Sequence, residues 1–184
     1  MMNEETNPVK DYLFEYIDNS KTIPQLISEE KYDSIINDVV KRCYDKALAM
    51  ENEDTAVGNM ATGLLHYLLT NSPIPSQRKI EYRGQKIDIV IPDIKTLEKD
   101  AKRSLIICIP GSSSAYEVGK KLSGLEKIQP EKDNIWVVLS KNLKIERRSF
   151  VLDKQNNTFS EIIFEISQFS NASNSASRLR ILRS

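Results

Sequence analysis

The sequence predicts an α/β protein, a mixed β-sheet flanked by helices with additional helices on its N-terminal side. Three observations predict it. Apolar residues repeat at three- and four-residue spacing from Tyr32 to Leu48 and again from Val57 to Leu68, the mark of two amphipathic helices. The period then changes to two on either side of Gly84, a hairpin pattern. Two continuous apolar runs follow, Leu105-Ile-Ile-Cys-Ile109 and Ile135-Trp-Val-Val-Leu139, with helical spacing between them. Strands buried on both faces and joined by a helix form a parallel pair.

Each element has its own signal. Residues 7–17 read as a short helix, and Pro24 opens a turn or a further helical piece. Ser28 is a candidate N-cap for the long helix that follows, with Glu29 and Glu30 where the helix dipole favours negative charge. A second long helix covers residues 54–70, and Asn71-Ser-Pro-Ile-Pro-Ser76 breaks it. The hairpin strands are Lys79-Ile-Glu-Tyr-Arg83 and Lys86-Ile-Asp-Ile-Val-Ile91, and Pro92 ends the second. Residues 93–103 form a charged connection, Pro110-Gly-Ser-Ser-Ser114 is a loop, and residues 115–128 form the crossover helix. Ser149-Phe-Val-Leu152 reads as an edge strand. Thr158 with Glu161 fits a capping box opening a last helix, although the alternation of Glu161, Ile163 and Glu165 also permits a strand. The organisation expected is a helical segment over 1–53 packing on an α/β core over 54–170, with a flexible basic tail over 171–184.

Composition narrows the function classes. The chain has 184 residues, 40% of them hydrophobic, and no apolar run long enough to span a bilayer. The start, Met-Met-Asn-Glu-Glu, has no secretory pattern, so a cytoplasmic protein without a membrane partner is expected. Two cysteines and one histidine exclude a disulfide framework and a cysteine- or histidine-rich zinc site. Cys43 falls on a core stripe, and His66 reads as a structural residue before a general base. The net charge of zero conceals an asymmetry: residues 1–60 hold 13 acidic and 6 basic side chains, whereas residues 61–184 hold 13 acidic and 20 basic. Such a split fits a surface for an anionic partner on the second part, unless the two parts neutralise each other.

Asp88 lies within an apolar strand, where a carboxylate needs hydrogen bonds or a cation. Strict alternation places Asp88 and Val90 on one face and Ile87, Ile89 and Ile91 on the other. It is either a metal ligand or an aspartate paired with a lysine or arginine. Together with Arg78-Lys-Ile-Glu-Tyr-Arg-Gly-Gln-Lys-Ile-Asp-Ile-Val-Ile91, Ser104-Leu-Ile-Ile-Cys-Ile-Pro110 and residues 115–140, this resembles the PD-(D/E)XK nuclease superfamily. The resemblance covers roughly residues 54–140 and implies a restriction-endonuclease-like core.

In that family the second strand supplies an aspartate, and the third an acid and a lysine two residues apart. Together they hold a divalent cation and stabilise charge on a phosphate. Asp88 matches the aspartate, whereas the acid falls at Cys108 and the lysine at Pro110. The resemblance therefore implies one of two states. Either cleavage is lost and the domain binds nucleic acid or a protein that processes it, or the groups have migrated. In the second case Glu81, Asp93 or Glu117 supplies the acid, Lys120 or Lys121 supplies the amine, and Asp88 is the ligand of Mg2+.

Basic residues favour a DNA or RNA partner. Residues 78–103 hold 8 basic and 5 acidic side chains, and Arg78, Lys79, Arg83, Lys86, Lys102, Arg103 and Lys121 are the expected phosphate contacts. A competing site is the Gly111-Ser-Ser-Ser114 loop, whose amides and hydroxyls at a helix start suit an anion. Its serines equally suit capping of the helix, and the phosphate-loop lysine is missing. A third reading is a scaffold module that uses no nucleic acid.

Overall fold

The structure is a computed structural model that describes residues 7–183, with side chains described through Ser175. Four helices come first: α1 (Pro8–Asn19), α2 (Ile23–Ser28), α3 (Tyr32–Met50) and α4 (Glu53–Thr70). Asn7 and Asn52 cap α1 and α4 through their side-chain oxygens, satisfying amides that a helix start leaves unpaired. Ser28 does not cap α3: its hydroxyl donates to the Gln25 carbonyl inside α2. Glu30, at a φ of 56°, then turns the chain into α3.

The sheet follows, with α/β connections. Its strands are β1 (Gln77–Tyr82), β2 (Gln85–Ile91), β3 (Leu105–Cys108), β4 (Ile135–Leu139) and β5 (Ser149–Val151), in the order β1-β2-β3-β4-β5. β2 runs antiparallel to its neighbours β1 and β3, and β4 and β5 run parallel to β3. The two-residue turn Arg83-Gly84 has positive φ at both positions, 48° and 74°, as a tight hairpin requires. β2 ends at Ile91, before a cis Ile91–Pro92 peptide. Helix α5 (Ile94–Lys99) and a 3-10 turn at Ala101–Arg103 lead into β3, and α6 (Ala115–Glu126) is the crossover from β3 to β4.

Two apolar layers cover the two faces of the sheet. On one face, Ile89, Ile91, Leu105, Ile107, Trp136 and Val138 pack with α1, α3, α4 and α7 (Ile162–Arg183). On the other, Val90, Ile106, Cys108, Ile135 and Val137 pack with Val118, Leu122 and Leu125 of α6. Consecutive residues of β3 and β4 thus belong to opposite layers, which explains their unbroken apolar runs.

The hairpin departs from strict alternation. Ile87 joins the α6 layer with Ile80 and Tyr82, while Ile89 and Ile91 face the other way. The break falls at Lys79, where φ is 50°, and the Lys79–Asp88 pair drops out of an otherwise regular register. Beyond this bend the outer half of the hairpin curls over α6 and α5. A Cβ on Gly124 of α6 would lie 2.3 Å from the Gln85 side chain, and Arg83 reaches Glu98 of α5 at 3.9 Å.

At the C-terminal side the helical alternative holds. Ile162, Ile163 and Ile166 are all fully buried, a spacing that a one-faced strand does not allow. Thr158 does not form a capping box; its hydroxyl accepts the Val151 amide at 2.7 Å. Of the segment expected as a flexible tail, residues 171–183 continue α7, which is helical to Arg183, and Ser184 lies outside the described residues. Among the described residues no helix is long and apolar enough to cross a membrane.

Candidate functional site

Asp88, Lys121 and the loop after β3 meet at the C-terminal end of the parallel strands, where open α/β sheets bind ligands. The β2–β3 register, continued by one position, sets Asp88 opposite Cys108. The ladder ends there, and the next amide, that of Ile109, donates to Asp88 Oδ2 at 2.7 Å. The carboxylate thus satisfies a backbone donor that has run out of strand partners. Burial pushes the Asp88 carboxyl above its ordinary value, against the Ile109 amide and the charge of Lys121. Lys121 lies midway along α6, and its ammonium donates to the Pro110 carbonyl at 3.4 Å. Burial also pushes the Cys108 thiol up to about 12, with Asp88 adding to the effect.

Each of the candidate acids has a neighbour of its own. Glu81 is exposed and stands opposite Lys86 on the hairpin. Asp93 caps α5, accepting the Thr96 amide at 2.7 Å, beyond the opposite end of β3. Glu117 accepts the Ser112 hydroxyl at 2.6 Å. Among the described residues no three His, Cys, Asp or Glu side chains are grouped closely enough to hold a metal ion. Mg2+ prefers several oxygen donors in near-octahedral order. Here the nearest groups are one carboxylate already bound to an amide, a thiol and an ammonium. These residues do not fit a resident Mg2+.

Of the two lysines proposed to supply an amine, Lys121 is the one whose charge acts on Asp88, and Lys120 is exposed. The expected phosphate contacts divide into groups. Lys121 stands at the Asp88 end, and Lys79 at the hairpin bend. Lys86 is exposed beyond that bend, and Arg83 at the turn lies over the Tyr82 ring at 5.0 Å. Arg78 is half-buried on β1. Lys102 and Arg103 lie at the other end of β3, before its first residue. The strand length alone separates them from Asp88 by about 10 Å or more.

One network at this end is not evident from the sequence. Asp54, in the first turn of α4, accepts the Ser140 hydroxyl at 2.6 Å through Oδ1. Through Oδ2 it accepts the amide and hydroxyl of Ser113, at 3.0 and 2.9 Å. It therefore ties the loop after β3 and the residue after β4 to the start of α4. Burial opposes its charge, but the hydrogen bonds from Ser140 and Ser113, with Lys141 nearby, bring the carboxyl below its ordinary value. The partners lie 59 and 86 positions away, so no local pattern marks them. The same bonds answer the question of the serine loop. Ser112 and Ser113 donate to Glu117 and Asp54, and Ser114 caps α6, which leaves the loop serving carboxylates of its own chain. Gly111, at a φ of 63°, allows this loop to pass close to Gly58 of α4, where a Cβ would sit 3.3 Å from the Gly111 Cα.

The charge asymmetry is also resolved in space. The acid-rich helices α1, α3 and α4 form the layer on one face, and α5, α6 and the outer hairpin form the other. Lys154 pairs with Asp45 across the two parts of the chain at 2.5 Å. Arg83–Glu98, Lys132–Glu126, Arg147–Glu126 and Arg148–Glu165 are pairs within the second part. Comparison with protein-family models, with curated proteins and with solved structures finds no significant match.

Proposed function

We propose that the chain is a restriction-endonuclease-like module without a working metal site, binding nucleic acid, or a partner that processes it, through the α6 side of the sheet. The observation that carries this reading is the setting of Asp88. It stands on the second strand of an antiparallel hairpin, beside a third strand that runs through a crossover helix to a parallel fourth. A lysine is near it, yet the position opposite is the Cys108 thiol. Lys120 and Lys121 are exposed on α6, and Lys79 and Lys86 are exposed on the hairpin, with the acid-rich helices behind the sheet. Lysines so placed neutralise phosphates without reading bases.

The test is fluorescence anisotropy with labelled single-stranded and duplex DNA and RNA, over a salt series in EDTA and in Mg2+, with gels to follow cleavage. Binding that weakens steeply with salt, does not require Mg2+, leaves the strands intact and is reduced in Lys120→Glu/Lys121→Glu is the expected result. Absence of binding at low salt overturns the nucleic-acid reading in favour of a scaffold. Mg2+-dependent cleavage abolished by Asp88→Ala overturns the loss of activity and establishes the migrated-site enzyme.

A further inference from the structure

A groove of about 460 Å³ runs between the start of α3 and the start of α7, on the side of the molecule away from Asp88. Its rim carries three carboxylates, Glu30, Asp33 and Glu161, and its apolar part is made by Tyr32, Ile163 and Phe164. Phe164 is 59% exposed, whereas the isoleucines beside it on α7 are fully buried. Among the described residues none of the three carboxylates is in an ion pair: Lys31 is paired with Glu29 at 2.6 Å, and Arg148 with Glu165. An exposed aromatic ring within unpaired negative charge is complementary to a segment that combines cations with aliphatic side chains.

The chain itself contains such a sequence. Arg178-Leu-Arg-Ile-Leu-Arg183 combines three arginines with three aliphatic residues and no acid. It ends the same helix whose first turns form the groove. α7 spans 22 residues, about 33 Å at 1.5 Å per residue, so the groove of one chain and its own basic sequence are a helix length apart. We propose that the groove takes residues 178–183 of a second copy, the two α7 helices pairing antiparallel about a two-fold axis. In that arrangement each helix start meets the other's end. Both grooves fill at once and the assembly closes as a dimer. Between them α7 exposes Asn171, Ala172 and Ser175, small enough for two helices to approach closely.

Sedimentation equilibrium on the full chain tests this, with circular dichroism to check folding. The wild-type protein is expected to dimerise at low salt and to dissociate at least tenfold more readily at high salt, as an association held by opposite charges requires. Glu30→Lys/Asp33→Lys/Glu161→Lys and Arg178→Glu/Arg180→Glu/Arg183→Glu should each be monomeric alone. Mixed in equal amounts they should form a heterodimer, because every groove then faces the opposite charge. Phe164→Asp, a change at an exposed position, should also be monomeric. A monomeric wild-type protein overturns the proposal. So does a folded pair of charge-reversed chains that remains monomeric when mixed, or a Phe164→Asp chain that dimerises as the wild type does.

Discussion

Asp88 accepts a hydrogen bond from the Ile109 amide at 2.7 Å, so the carboxylate most suggestive of metal chemistry completes the end of a β-ladder. Removing it leaves a half-buried N–H without a partner, at a cost of about 1–3 kcal/mol. Asp88→Ala should lower the urea midpoint accordingly, whereas Asp88→Asn, whose amide oxygen can still accept, should lose less. Equal losses in the two variants would show that this bond contributes nothing.

The same carboxyl predicts a pH dependence. Its folded-state pKa is raised, mainly by burial, so between the ordinary aspartate value and the raised one the native state binds more protons than the unfolded state. Stability from this group therefore falls as pH rises through that window. Asp88→Asn lacks the ionisation, and its stability relative to wild type should increase from acid pH toward neutrality. A difference that is flat with pH in denaturant titrations would contradict it.

Asp54 should show the opposite sign. Its carboxyl is held below the ordinary value, hydrogen bonds from Ser140 and Ser113 outweighing burial. Its contribution is present above the unfolded-state value and is lost as pH falls through the lower folded value. Asp54→Ala removes three hydrogen bonds and should destabilise by about 2–3 kcal/mol at neutral pH. The Ser113 amide should then exchange with deuterium much faster. Unchanged protection at Ser113 would mean that the loop is held by something else.

Both cysteines should be inert while the protein is folded. Burial pushes Cys43 up to about 11 and Cys108 to about 12, and each is 1% exposed. Since the thiolate is the reactive form, a chromogenic disulfide reagent should label them only at the rate of unfolding. Fast labelling in native buffer would place one of them in an accessible environment.

Gly111 offers a test of the loop geometry. A Cβ there meets nothing within 4 Å, but φ is 63°, so Gly111→Ala should cost about 1–2 kcal/mol through backbone strain alone. Gly111→Asn, which tolerates this region better, should recover part of the loss in thermal unfolding.

Much of the architecture is legible from periodicity, because apolar spacing records burial directly. The stripes through Ile35, Val39 and Cys43 and through Val57, Leu64 and Leu68 are buried helix faces, and both continuous runs are strands covered on two sides. Contacts that depend on distant partners were not legible. Thr158 has the spacing of a cap, but a strand amide brought near by the fold claims its hydroxyl. Ile87 follows the alternation of its neighbours in sequence but not in space, because the bend at Lys79 turns the outer hairpin toward α6. The choice between Lys120 and Lys121 depends on a rotation of about 100° around a helix, which only the packing of α6 decides. Asp54 looks like an ordinary acidic residue in a helix's first turn, and its importance lies in two loops far along the chain.

The bend at Lys79 has a consequence for solubility. β1 is one border of the sheet, and a long flat border strand is a template on which another chain can add. Here the ladder is interrupted in its middle by a left-handed residue, and the outward positions carry Gln77, Lys79 and Glu81. The other border, β5, is three residues long, and its Val151 amide is already engaged by Thr158. Neither margin offers an incoming strand an uninterrupted row of donors and acceptors, which guards the fold against polymerising edge to edge.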